Sequence, residues 1–177
     1  MEHMRNTRVF WGILALVFFL IGCFHGRQVT SVIGYRNQMV FLKKDVYYKV
    51  GKLPEGWKTL STRAKAAAFY NKDLGASIST DAFCAGGFED LPLKTLSGQL
   101  FAGTQQHSII SEKEIDMDGR GGLRTVSTGS IDGVDLKFDT VVVKKNNCTM
   151  DFVYFSPPEK YKDGVAAFEA FFNGFKF

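Results

Sequence analysis

The chain has 177 residues, 45% of them hydrophobic, 14% aromatic and 23% charged, which fits one compact domain and excludes a disordered or collagen-like chain. Its 22 lysines and arginines are scattered among 18 acids, so the net charge of +4 is mild, and no basic block marks nucleic acid as a partner. Three cysteines and a single long apolar run exclude a disulfide-dense miniprotein and a multi-span membrane protein.

Met1 to Arg8 carry two arginines, and Val9 to Gly22 contain no charge, an n-region followed by an h-region. Fourteen residues reach about 21 Å as a helix, short of the ~30 Å that a spanning helix must cross. Leu20-Ile21-Gly22-Cys23 then resembles the lipobox of bacterial lipoproteins. The resemblance implies a diacylglyceryl thioether on Cys23, cleavage just before it and acylation of the new amino terminus. The competing reading is an uncleaved amino-terminal helix that ends in a cysteine by chance. Phe24 stands where an aspartate would hold an enteric lipoprotein in the inner membrane, so the resemblance favours the outer membrane. The expected division is a signal peptide at 1–22, a lipidated tether at 23–44 and one α+β domain at 45–177.

Within the domain, Val46 to Val50 is β-branched and aromatic, and Pro54-Glu55-Gly56-Trp57 makes a turn. Ala66 to Asn71 and Ala76 to Cys84 read as strands, the second alternating Ile78 with Ser77 and Ser79. A helix is predicted from Asp90 as N-cap, through Pro92 and the apolar steps Leu93, Leu96, Leu100 and Phe101, to Gly103. Four strands follow at Ser108–Met117, Leu123–Ile131, Val134–Lys145 and Thr149–Phe155. Their separators Asp118-Gly119, Asp132-Gly133 and Asn146-Asn147 tolerate positive φ, and such short connections can only be antiparallel. The result is a meander. After Pro157-Pro158, Asp163 caps a last helix with Val165, Phe168, Phe171, Phe172 and Phe175 along one side.

Candidate chemistry is sparse. His107 and Ser108 are sequence neighbours that face opposite ways on a strand, so they make no catalytic pair, and His25 lies too far along the chain to share a metal site with His107. Glu114, Asp116, Asp118 and Gly119 imitate the start of a calcium loop, but Thr125 occupies the position of its bidentate glutamate. Gly119-Arg120-Gly121-Gly122 lies between strands and opens no helix, so it is no phosphate cradle. Cys84 and Cys148 read as a bridge formed in an oxidising compartment, as two buried thiols or, third, as a redox pair.

Gly56-Trp57, Asp118-Gly119-Arg120-Gly121, Ser156-Pro157-Pro158 and the Phe-rich last helix resemble the PsbP-like family across most of Asp45 to Phe177. The resemblance implies an antiparallel sheet with helices on both faces, an α/β/α sandwich, and an extrinsic assembly or docking role rather than an enzyme. The expectation is a membrane-anchored, non-enzymatic accessory of a cell-envelope complex. It would have an envelope protein as partner, its domain on the extracytoplasmic side, and no cofactor beyond the lipid on Cys23. The alternative is a carrier or chaperone of a lipid or other apolar ligand, with the 17 phenylalanines lining a cavity between sheet and helix. A hydrolase using Asp116 and Asp118 is a third class.

Overall fold

A computed structural model describes residues 31–43, 45–61, 65–84 and 91–177. Two antiparallel meanders form its main sheet. The first is β4 (Trp57–Leu60), β5 (Ala66–Asn71) and β6 (Ala76–Cys84); the second is β7 (Gln105–Asp116), β8 (Gly121–Ile131), β9 (Val134–Lys145) and β10 (Cys148–Ser156). They join where β10 pairs antiparallel with β6, giving seven strands in the order β4-β5-β6-β10-β9-β8-β7. The predicted separators do make the turns: Asp118, Gly119, Asp132, Gly133, Asn146 and Asn147 all have positive φ, the twist that suits tight hairpins.

A smaller sheet of β1 (Gly34–Arg36), β2 (Met39–Lys43) and β3 (Val46–Lys49) shares one face of the main sheet with helix α2 (Tyr161–Asn173), while the short helix α1 (Leu93–Gln99) packs on β8 and β9. The fold is therefore α+β, an antiparallel sheet with helices on both faces. The expected tether at 23–44 needs correction. Val32, Val40 and Leu42 are core residues, so the described part of the domain begins by Ser31 rather than Asp45. The expected N-cap Asp90 lies outside the described residues; α1 starts after Pro92 with no side-chain cap, and its last turn runs on to Gly103 at φ 89°.

The predicted stripe on the last helix is its buried face. Phe168, Phe171 and Phe172 are buried, and Phe175 follows them into the core just past the helix end. Phe152 meets Phe171 and Phe175 edge-on, Tyr154 stacks on Phe168 at 5.7 Å, and Tyr48 closes on Phe175 at 5.8 Å. Each buried ring contributes about 2 kcal/mol from area alone. These rings fill the space between α2 and the sheet.

The small sheet is locked to the end of α2 by a close backbone approach. Gly51 donates its amide to the Phe171 carbonyl at 2.8 Å, and a Cβ on Gly51 would stand 1.9 Å from the Ala170 carbonyl oxygen. Only glycine fits. Gly51→Ala is expected to destabilise the domain by about 2 kcal/mol through forced separation of the two elements, read as a lowered urea midpoint with an unchanged slope.

Candidate functional site

The seam between β6 and β10 brings together the disulfide and the buried polar side chains of Thr80, Thr149 and Asp151. In its register Cys148 stands opposite Cys84, Thr149 opposite Phe83 and Asp151 opposite Asp81. Cys84 and Cys148 are joined as a disulfide. Strand alternation sends Thr149 and Asp151 to the α1 face and Thr80 to the α2 face, where Tyr48 reaches its hydroxyl at 2.8 Å. Burial pushes the Tyr48 phenol well above its ordinary range.

Asp81 and Asp151 form a cross-strand carboxyl pair. Burial pushes Asp81 up to about 6; burial and the neighbouring Asp81 push Asp151 up to about 8. One proton is thus held between them at neutral pH, as two like charges in a poorly hydrated site require. Asp151 Oδ1 and Thr149 Oγ1 are buried and have no hydrogen-bond partner among the described residues.

Other charges are engaged with one another. Asp139, fully buried, accepts Arg124 Nε at 2.9 Å, Arg124 Nη2 at 2.6 Å and the Tyr161 hydroxyl at 2.7 Å. Arg124 Nη1 also meets Glu169 at 2.8 Å, and its guanidinium lies 5.4 Å from the centre of the Phe172 ring. The two hydrogen bonds to Asp139 hold the Arg124 pKa above its ordinary value. Asp118 binds Lys145, takes Lys176 Nζ at 3.0 Å and accepts the Phe177 amide at 3.1 Å. The two ammonium groups keep its carboxyl well below the usual carboxylate range.

These positions bear on each residue singled out in the sequence. Cys23, and His25 with it, lie outside the described residues. Asp118 of the calcium-loop lookalike is taken by two lysines, and Asp116 Oδ1 accepts the Gly119 amide at 3.2 Å in the turn. So placed, Asp118 is a fixed anion and a poor general base. His107 stacks on Phe101 at 4.2 Å. The Asp81–Asp151 pair and the Arg124–Asp139 network are absent from the sequence reading. A signal for the first was available: each aspartate lies three residues inside its cysteine, so a cross-strand bridge sets them opposite one another.

No family model and no curated protein matches the chain in sequence. In three dimensions it is similar to LpqN of Mycobacterium tuberculosis, described as involved in cell envelope biogenesis. That likeness has a TM-score of 0.53 and 9% identity over 73% of this chain and 83% of that one. It is also similar to a protein of Bacteroides thetaiotaomicron at TM-score 0.53 and 11% identity, covering 73% of this chain and 44% of the other. The cyanobacterial PsbP protein of Synechocystis aligns at TM-score 0.49 and 12% identity over 89% of this chain and 98% of its own. The first two likenesses are likenesses of fold.

Two predictions follow from the seam. The disulfide closes a separation of 64 residues, so replacing both cysteines by alanine is expected to lower stability by about 4 kcal/mol in the chain-entropy account, measured by urea unfolding. For the carboxyl pair, unfolded aspartates titrate near ~3.9, below the raised folded values, so the folded state binds these protons more tightly. Its contribution is greatest below about pH 4 and is lost as pH rises towards about 8. Asp151→Asn should therefore raise stability at pH 8 by about 2 kcal/mol, roughly 6 °C in Tm, and flatten the pH dependence between pH 5 and 8. A pH profile of Tm identical to that of the unaltered chain would refute the shared proton.

Proposed function

We propose that the chain is a lipid-anchored, non-enzymatic docking or assembly module of the cell envelope, with its domain on the extracytoplasmic side. The observation that carries this reading is a disulfide across the central seam of a domain that follows a lipobox. Both features belong to chains that leave the cytoplasm: thiols are kept reduced inside it, and lipidation at Cys23 requires export. The lipid on Cys23 is the one covalent group the reading needs. Phe24 in place of aspartate favours the outer membrane by the same resemblance. The likeness in fold to LpqN, described as involved in envelope biogenesis, accords with this location.

Docking is preferred to catalysis because the strongest charges are paired: Asp139 with Arg124 and Tyr161, Asp118 with two lysines. It is preferred to carriage of an apolar ligand because Phe152, Tyr154, Phe168, Phe171 and Phe175 occupy the space between sheet and helix that a ligand would need. The partner is then a protein of the envelope, met through the surface of the domain.

Cys23→Ser is expected to abolish palmitate incorporation and to leave the amino-terminal segment uncleaved, while the Tm of the domain stays unchanged. Metabolic labelling and intact mass read both. Undiminished labelling of the variant would overturn the anchor.

A further inference from the structure

The small sheet presents two unlike sides. Alternation turns Tyr35, Val40, Leu42 and Tyr48 into the core, so their neighbours face outwards. In register, Arg36 stands opposite Met39, Phe41 opposite Tyr47 and Met39 opposite Lys49. The outer side is therefore basic and aromatic. Arg36 and Lys49 are exposed on it, Lys43 is exposed at the end of β2 beyond a register shift, and the one acid of the three strands and their described turns is Asp45. The Arg36 guanidinium lies 5.9 Å from the centre of the Phe41 ring, which meets Tyr47 at 5.6 Å. Tyr47 is 40% exposed.

We propose that this outer side lies against the anionic phospholipid surface of the membrane that holds the protein, and so fixes which face the domain turns to its partners. The proposal rests on the lipid anchor argued above. Chain length supplies the first argument. From Cys23 to Ser31 is eight residue steps, at most about 28 Å of extended chain. A domain of this size is roughly 38 Å across by the usual scaling, so so short a connection holds its entry side towards the bilayer. That entry leads straight into β1, an edge of the small sheet.

Charge and side-chain chemistry supply the second argument. Cations at an anionic surface contribute about fivefold each to association, so three act together on the order of a hundredfold. Tyrosine and phenylalanine beside them suit the headgroup level, where a ring is half wet and half apolar. An acidic protein would satisfy the cations but leave the aromatic rings without a matching partner.

The test uses the full chain purified from membranes, with a fluorophore on Tyr47→Cys or, as control, on Val134→Cys at the start of β9. Each is placed in phosphatidylcholine vesicles with or without phosphatidylglycerol, carrying lipid-borne quenchers. With phosphatidylglycerol, quenching at position 47 should exceed that at 134 by about fivefold or more. The excess should disappear in high salt and in the Arg36→Glu, Lys43→Glu, Lys49→Glu variant. Equal quenching at the two positions, stronger quenching at 134, or an excess that is the same without phosphatidylglycerol overturns the proposal. The anchor is judged separately: a chain without introduced cysteine takes up the fluorophore only if the Cys23 thiol is free. Free Cys23 refutes the anchor, while the quenching ratio still judges the face.

Discussion

Everything else in the main sheet depends on the pairing of β6 with β10. Each meander is assembled from local hairpins, whose turns fix their own registers, but among the described strands the two meanders pair only along this one seam. A slip of one residue there would turn Ile78, Phe152 and Tyr154 out of the core and their polar neighbours into it. The disulfide holds the end of the seam where strand pairing would otherwise fray. It thus specifies register as well as removing freedom from the unfolded chain.

The same register creates the least stable chemistry in the domain. Because the cysteines are opposite, the aspartates must be, and they face α1, the shorter of the two described α-helices. The α2 face is organised differently. Arg124 on β8 binds Asp139 on β9, and between them they hold Tyr161, Glu169 and Phe172, which recur along one side of α2. A buried ion pair of this kind adds little net stability, but losing one partner would strand a charge. Its effect is to set where the helix sits, while the aromatic rings beneath supply the energy.

How much of this was legible in the sequence depended on the range of the interaction. Val134–Lys145 is a strand with the predicted ends, because Asp132-Gly133 and Asn146-Asn147 mark it on both sides. β2 was missed: five residues with a register shift are too few to display a period of two, and Val40 and Leu42 passed as tether. The Arg124–Asp139 pair was readable in principle. The Asp132-Gly133 turn sets Arg124 opposite Val141, which leaves Asp139 one diagonal step away on the same side. What the sequence lacked was a reason to choose that diagonal over others, since the reason is α2, arriving from far along the chain. The Asp81–Asp151 pair needed only the cysteine pairing, and it was lost because that pairing was left open.

These constraints bear on how a docking module can work. A domain whose helix position is fixed by a half-buried arginine on a buried aspartate and whose seam is covalently closed has little freedom to rearrange on binding, so its surfaces are presented ready-made. Preformed surfaces favour recognition with little ordering cost, but only if the domain meets its partner in the right orientation. A lipid anchor alone would hold the entry side near the bilayer but leave the domain free to tilt and turn about it. Two attachments of different kinds, an acyl anchor at Cys23 and a basic, aromatic sheet a few residues later, would remove that freedom without any further contact. Rigidity within the domain and orientation of the whole are then one problem solved at two scales. On this reading the rigidity comes from Cys84–Cys148 and Arg124–Asp139, in the body of the chain, while the orientation comes from its amino-terminal third, between Cys23 and Lys49.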